Sequence, residues 1–382
     1  MRSKPPATCS RRSSSRTGDA GGDTRGSGRE ATAFRDSRDA DPRERIRGLR
    51  SQVVEDLLLV VVIATALVFD FTNGFHDTAN AVATSVSTRA LTPRQAVTVA
   101  ALANLAGAFV TTAVAKTVGQ GIIDVGLATQ QTILAALLGA IAWNMFTWYL
   151  GLPSSSSHAL FGGLIGAALV QSGSKGVEWD GLVEKVVIPG IASPILGFLG
   201  AFVLLLVLYW AFVWITPGAG NRLFRYGQML SGTWFAFTHG ANDAQKTMGV
   251  IALALFAHGS LDEFEIPTWV KIAAGLAIAA GTYVGGWRIM RTLGQRVFKM
   301  EPVDGFAAQV SAGTVLYAAT HFGFPVSTTQ CISGAVMGAG ATKRFSAVRW
   351  GVAGNIILAW ILTIPAAAIV AGALYWPLEA VF

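Results

Sequence analysis

The sequence predicts an all-α polytopic membrane protein built of two inverted-topology repeats, each with a broken helix, spanning helices and a re-entrant hairpin. Three observations predict it. Hydrophobic residues make up 52% of the 382-residue chain against 13% charged, and 43 glycines exceed what helices in water tolerate. A polar motif interrupts the apolar sequence twice, as FTNGFHDTANAVA at 71–83 and THGANDAQKTMG at 238–249. A Pro and Ser/Thr turn between two short apolar arms also occurs twice, at 153–158 and 325–331.

In register, Asn73 matches His239, Gly74 matches Gly240, His76 matches Asn242, Asp77 matches Asp243 and Asn80 matches Lys246. An ionised or amide side chain in a bilayer costs several kcal/mol, on the order of 3 at its centre, unless something pairs with it. Two such motifs at matching places imply a use for them, and duplicated Gly-interrupted segments with polar residues at mid-depth mark a secondary-transporter site.

Taken in order, residues 1–52 read as a disordered basic tail with 13 Lys+Arg against 7 Asp+Glu, so it carries +6 of the formal +7. The remaining body is nearly neutral, which excludes a nucleic-acid surface on a folded domain. The tail has no signal-peptide core. No Met lies between Met1 and Met145, so a translation start at a non-Met codon near Val53 stays an alternative. Cys9 and Cys331 form neither a disulfide framework nor a metal knuckle.

Residues 53–216 form the first repeat, 217–227 a cytoplasmic linker and 228–382 the second, inverted repeat. The run from Leu57 to Thr88 is too long for one straight span and carries Asn73, Gly74 and Asp77, so it is expected as two half-helices. Ala96 to Val118 is a full span. Thr132 to Leu150, a turn at Gly151-Leu152-Pro153 with Ser154 to Ser157, and Ala159 to Val170 make the first hairpin. Irregular backbone at membrane depth is allowed only where it faces protein or a water-filled cavity. Phe306 to Phe322 and Ile332 to Gly340 make the second hairpin, with Ser155, Ser156 and Ser157 matching Ser327, Thr328 and Thr329. Val186 to Ile215, Leu230 to Phe256, Val270 to Trp287 and Trp350 to Trp376 are the other spans.

Three crossings per half invert the second half, and the loop charges agree. Arg89 and Arg94 follow the first motif, whereas Asp262, Glu263 and Glu265 follow the second. The loop after the first hairpin is acidic by one charge, and its counterpart holds Lys343, Arg344 and Arg349. If basic loops are cytoplasmic, Arg94, Arg291 and Arg344 lie inside, and Glu263 and both termini lie outside.

The paired motifs NGFHDTANA and HGANDAQK, each followed by a PSSSSH or PVSTTQ hairpin, closely resemble the inorganic phosphate transporter (PiT) family over about residues 55–380. The resemblance implies a multi-pass protein of the cell membrane that imports inorganic phosphate by symport with H+ or Na+, through an anion site built from the two Asp motifs and the two hairpin tips. It implies no enzyme and no cofactor. Its partners are phosphate and the lipid bilayer, no nucleic acid is expected, and a homo-oligomer is left open.

The residues support the same site. Hairpin tips ending in Ser/Thr present hydroxyls and the free N–H groups of a helix start, which favour an anion. Ser155, Ser156, Ser157, Ser327, Thr328 and Thr329 are therefore candidate phosphate donors, the alternative being hydroxyls bonded back to the preceding turn. Asp77 and Asp243 either cap a helix break or accept a proton, a coupling cation or the hydrogen of HPO₄²⁻ or H₂PO₄⁻. Asn73, Asn80 and Asn242 are candidate amide ligands or partners of broken backbone. His76 and His239 are candidate proton relays or packed neutral side chains. His158 beside the serines does not make a Ser-His nucleophile, because adjacent helix residues do not face each other and no orienting acid is evident.

Lys246 departs from the resemblance, since many members have Asn here in both motifs. A tethered ammonium stands where a mobile cation is otherwise needed, which favours protons over Na+ and matches the NDxQK variant resembling the proton-coupled, low-affinity bacterial branch. For that branch the resemblance implies a neutral divalent-metal phosphate complex as an alternative transported species. The alternative role for Lys246 is a structural salt bridge to Asp77 or Asp243. Competing functions are a Na+-coupled phosphate symporter, a sulfate permease of the same fold, a channel and an intramembrane diaspartyl hydrolase.

Overall fold

The computed structural model describes residues 42–382, in which the only strand-like pairing is an isolated bridge between Ile123 and Val177. The helices in chain order are α1 (Pro42–Ser87), α2 (Pro93–Gly107), α3 (Ala113–Gln120), α4 (Gln130–Leu150), α5 (Ser156–Ser172) and α6 (Trp179–Ala211). They continue as α7 (Pro217–Ala257), α8 (Thr268–Val284), α9 (Trp287–Arg291), α10 (Pro302–His321), α11 (Thr328–Lys343) and α12 (Trp350–Val381). The order from α1 to α6 thus recurs from α7 to α12. Val54–Phe382 is one compact unit. The predicted disorder of the tail concerns mostly residues 1–41, outside the described residues. Residues 42–52, assigned to that tail, are helical and open α1, because an apolar run already in helix propagates cheaply into mixed Arg/Glu sequence. The predicted linker 217–227 is likewise the start of α7.

Two apolar cores fill the compact unit. One contains Leu58–Phe69 of α1 and residues of α3, α4, α5, α8, the second half of α7 and the end of α12. The other contains Ala79–Ala83 of α1 and residues of α2, α9, α10, α11, the first half of α7 and the start of α12. Along α1 the chain passes from the first core to the second, and along α7 from the second to the first. The polar motifs occupy the passage between them. α6 and α12 show the same exchange: Leu182 and Val186 belong to the first core and Ala201 and Leu205 to the second, whereas α12 starts in the second and ends in the first.

Close glycine packing holds the motif helices and hairpins. A Cβ on Gly74 would meet the backbone of Ile278 in α8, and one on Gly240 the backbone of Asn104 in α2. Gly162 and Gly166 of α5 lie against Ile364 and Ala368 of α12, while Gly334 and Gly338 of α11 lie against Pro194 and Phe198 of α6. Each hairpin therefore rests on the terminal helix of the other half. Small residues four apart let helix backbones approach where hydrophobic force between helices is weak.

Among the described residues, four helices are long and apolar enough to cross a membrane: Gly48–Ser87, Gln130–Leu150, Trp179–Ala211 and Trp350–Val381. Thr268–Val284 with Trp287–Gly294, bent by 58°, makes a fifth when the pair is counted as one span. Large apolar side chains such as Ile191 and Ile195 of α6 and Ile361 and Ile369 of α12 face outward, as lipid contact requires.

Three expectations need correction. α1 and α7 are helical throughout the motifs instead of broken, because the polar side chains find tertiary partners such as Thr329 for Asn80 and Ser157 for Lys246, and the glycines serve close packing. α7, expected to supply an apolar span at Leu230–Phe256, is long enough but not apolar enough, since Thr238–Leu255 is buried in protein along its whole length. The span expected at Ala96–Val118 is two helices, α2 and α3. The Gln245 side chain of α7 accepts from the N–H groups of Val114 and Ala115 at 2.9 and 3.2 Å and so caps the start of α3.

Candidate functional site: a polar centre between two hairpin tips

Both hairpins turn by the same local chemistry. α4 ends at Gly151 with φ 68°, and α10 is followed by Gly323 with φ 74°, the left-handed conformation that glycine adopts without a Cβ penalty. Pro153 and Pro325 then prevent helix continuation. α5 and α11 start anew at Ser155 and Ser327, whose hydroxyls accept from His158 N at 3.1 Å and Gln330 N at 3.3 Å. These two serines, expected as phosphate donors, thus act as N-caps, though each hydroxyl hydrogen can still donate. The following residues, Ser156 and Ser157 in one tip and Thr328 and Thr329 in the other, occupy the first turns, where N–H groups have no intrahelical partner. Side chains of all four are at most 2% exposed.

The two motifs reach these tips crosswise. Asp77 of α1 accepts from Thr328 Oγ1 at 3.1 Å and Thr329 Oγ1 at 3.3 Å, and Asn80 donates to Thr329 Oγ1 at 2.8 Å. The first motif therefore holds the second tip. Lys246 of α7 donates to Ser157 Oγ at 2.5 Å, to Val326 O at 2.9 Å and to Asp243 Oδ1 at 2.6 Å. One ammonium thereby joins the second motif to both tips. Asn73 closes the loop by donating to Asp243 Oδ2 at 3.3 Å.

Two histidines complete the centre. His76 Nδ1 lies 2.7 Å from Asp77 Oδ1, and its Nε2 lies 3.4 Å from both Thr147 Oγ1 and Ser154 Oγ. His239 Nδ1 lies 3.0 Å from Asn104 Oδ1, an acceptor, so that nitrogen carries hydrogen. Its Nε2 then faces Asp243 Oδ2 at 3.6 Å and Asp77 Oδ2 at 3.9 Å. A lone pair facing two carboxylates is unfavourable unless a cation lies between the three groups. Asp77, His239 and Asp243 each offer one ligand atom within 4.8 Å of the others, which is cation-binding geometry. Nε2 of His239 and Oδ1 of Asn73, Asn80 and Asn242 are buried acceptors without hydrogen-bond partners among the described residues. Such orphaned atoms in a native interior point to a ligand or water that meets them.

The structure thus brings together Asn73, His76, Asp77, Asn80, Ser157, His239, Asp243, Lys246, Thr328 and Thr329 in one network. Asn242 is directed elsewhere, donating to Thr320 Oγ1 at 2.9 Å and Phe324 O at 3.1 Å, and so anchors α7 to the second hairpin. Ser156 Oγ makes no hydrogen bond among the described residues. His158 pairs with Gln330 at 3.1 Å across the two tips, each occupying the same place in its hairpin. Sequence reasoning missed Asn104, Thr147, Ser154 and Thr320 as supports. A lone amide in the apolar α2 could have singled out Asn104, and the four-serine run Ser154; nothing singled out the threonines.

Comparison with known proteins points to one family. The model of the phosphate transporter family matches residues 73–371. The chain is 51% identical over 326 residues to the probable low-affinity inorganic phosphate transporter of Rhizobium meliloti (strain 1021), covering 85% of this chain and 97% of that one. It is 42% identical over 331 residues to the protein of the same description from Bacillus subtilis (strain 168), covering 85% and 98%. Among solved structures it is similar to one titled the sodium-dependent phosphate transporter, at a TM-score of 0.80 and 25% identity, covering 85% of this chain and all of that one.

Proposed function

Because the chain belongs to the phosphate transporter family, we propose that it imports inorganic phosphate across the cell membrane by symport with protons. The observation that carries the proton assignment is Lys246. Its ammonium lies 2.6 Å from Asp243 and reaches both hairpin tips, and it is tethered to the chain. A fixed cation there leaves protons, on His239 or the carboxylates, as the mobile coupling charge.

In this reading, the phosphate sits where the first turns of α5 and α11 converge. Ser156, Ser157, Thr328 and Thr329 donate hydroxyls and backbone N–H groups, and the two helix dipoles favour the negative charge. Asp77 and Asp243 accept the hydrogens of HPO₄²⁻ or H₂PO₄⁻. Phosphate then competes for Ser157, which Lys246 now holds, and for Thr328 and Thr329, which Asp77 holds. Binding therefore rearranges the contacts that lock the tips. The opposite order in which α1 and α7 traverse the two cores supports an inverted repeat, in which two similar halves alternate access to a central site.

A second reading is Na+ coupling, favoured by the ligand geometry of Asp77, His239 and Asp243 and by the sodium-dependent structural relative. Divalent-metal phosphate is an alternative cargo for the same acceptors. The test is uptake of radiolabelled phosphate into proteoliposomes with ΔpH and ΔNa+ imposed separately. The proposal expects accumulation with an acid exterior and no Na+. Accumulation that needs Na+ and ignores a protonophore establishes the second reading instead.

A further inference from the structure

One buried ionisable group takes no part in the network described above. Asp70 lies on α1 two turns before Asp77, a spacing that places both on the same helix face. It is wholly buried, and neither carboxyl oxygen has a hydrogen-bond partner among the described residues. Asp77 has His76, Thr328 and Thr329, and Asp243 has Lys246 and Asn73. Asp70 has nothing comparable. The hydroxyl of Thr247 on α7, itself buried and without a hydrogen-bond partner among the described residues, acts on it. The charged groups acting on it are Asp243 and Lys246, both on α7.

A carboxylate without a hydrogen-bond partner is costly in a low-dielectric interior, which favours the neutral acid. As a neutral acid, Asp70 can donate to Thr247 Oγ1. Thr247 directly follows Lys246, so a change at Asp70 acts on the residue that holds both hairpin tips. Ionised, Asp70 becomes a second anion competing with Asp243 for the same ammonium.

We propose that Asp70, with Thr247, is a proton-binding site separate from the phosphate site and coupled to it through the Lys246–Asp243 pair. The cycle is a simple acid–base step. Asp70 takes a proton from the outer side, holds it while phosphate is enclosed, and releases it inward, which draws Lys246 toward the new carboxylate and loosens its hold on Ser157 and Val326 O. This inference rests on the proton-symport reading.

The test uses the full chain in proteoliposomes and compares wild type with Asp70→Asn, Asp70→Glu and Thr247→Val. Three readouts are taken: phosphate–phosphate exchange at equal pH without a gradient, accumulation driven by ΔpH, and phosphate-dependent acidification of the lumen by an entrapped dye. Asp70→Asn is expected to keep exchange within about threefold of wild type while losing at least tenfold in ΔpH-driven accumulation and all phosphate-linked acidification. Asp70→Glu keeps all three. Thr247→Val keeps exchange and shifts the pH midpoint of accumulation to more alkaline values, because the ionised carboxylate loses its one nearby hydroxyl donor.

Exchange reports that the variant is folded. Asp70→Asn accumulating and acidifying like wild type overturns the proposal, as does loss of exchange together with accumulation, which assigns Asp70 a structural role. Should the Asn variant fail to fold, an unchanged pH profile in Thr247→Val overturns it equally. Wild type that accumulates phosphate with no acidification overturns the proton-symport reading itself, so the two failures are distinguishable.

Discussion

Lys246 Nζ lies 2.6 Å from Asp243 Oδ1, with both side chains at most 1% exposed, and the same ammonium bonds Ser157 in one hairpin and Val326 O in the other. Charge neutralisation and closure of the centre are therefore the work of one residue. Removing one partner of a buried ion pair strands the other and typically costs about 3–5 kcal/mol. Lys246→Met is expected to lower the unfolding temperature in detergent and to abolish phosphate uptake. Lys246→Asn, which can still hydrogen-bond, is expected to weaken uptake at least tenfold and to make it Na+-dependent. Uptake by the Asn variant at wild-type rates without Na+ removes the basis for a fixed-cation role.

Selectivity between phosphate and sulfate follows from Asp77 and Asp243. Near neutral pH phosphate carries hydrogens that a carboxylate can accept, whereas SO₄²⁻ offers only acceptors. Sites that reject a ligand leaving buried polar groups unpaired reach roughly 10⁴-fold discrimination. Arsenate should compete with phosphate for uptake, and equimolar sulfate should not. Asp77→Asn and Asp243→Asn should each abolish phosphate transport or narrow its margin over sulfate. Sulfate competing as well as arsenate in wild type would refute the carboxylate argument.

The hairpins depend on close backbone contact with the opposite half. A Cβ at Gly166 or Gly338 would collide with backbone of Ala368 or Phe198. Overpacking of this kind costs about 1–3 kcal/mol, so Gly166→Val and Gly338→Val are expected to lower the melting temperature measured by intrinsic fluorescence. Gly218→Val, where a Cβ meets nothing, is the control and should leave it unchanged.

The N-caps give a milder and separable effect. Ser155→Ala and Ser327→Ala remove the acceptors for His158 N and Gln330 N, a loss of about 0.5–2 kcal/mol each. They should raise the phosphate concentration needed for half-maximal uptake more than they lower the maximal rate, because the tip is loosened before it meets the anion. Equal loss in both parameters argues that these hydroxyls do more than hold the turn.

Orientation in the membrane is tested by single-Cys labelling on a Cys-free background. Cysteines replacing Arg94, Arg291 and Arg344 should react with an impermeant reagent from the cytoplasmic side, and one replacing Glu263 from outside. Labelling of positions 94 and 263 from the same side contradicts the inverted repeat.

What the sequence revealed and what it hid divide along a physical line. The hairpins were legible because Gly151 and Gly323, Pro153 and Pro325, and Ser155 and Ser327 act within a few residues of themselves, where turn and cap chemistry is local. The unbroken course of α1 was not, because Asn73 donates to Asp243 and Gly74 packs on α8, partners distant in sequence. Asn104 appeared as an isolated amide whose purpose depends on His239. Asp70 escaped notice for a different reason: its matching place in the second motif helix is Ala236, so comparing the repeats drew attention away from it.

The crosswise seating of the hairpins also has a consequence for biogenesis. α5 rests on α12, which is synthesised much later, while α11 rests on α6. The first hairpin leaves the ribosome some two hundred residues before its supporting surface exists, so the N-terminal half stays structurally incomplete until α12 has been made. Trimming the C-terminus therefore injures the beginning of the protein: a chain stopped before Ile364 retains every residue of the first motif and both tips, yet lacks the surface on which the first tip is held.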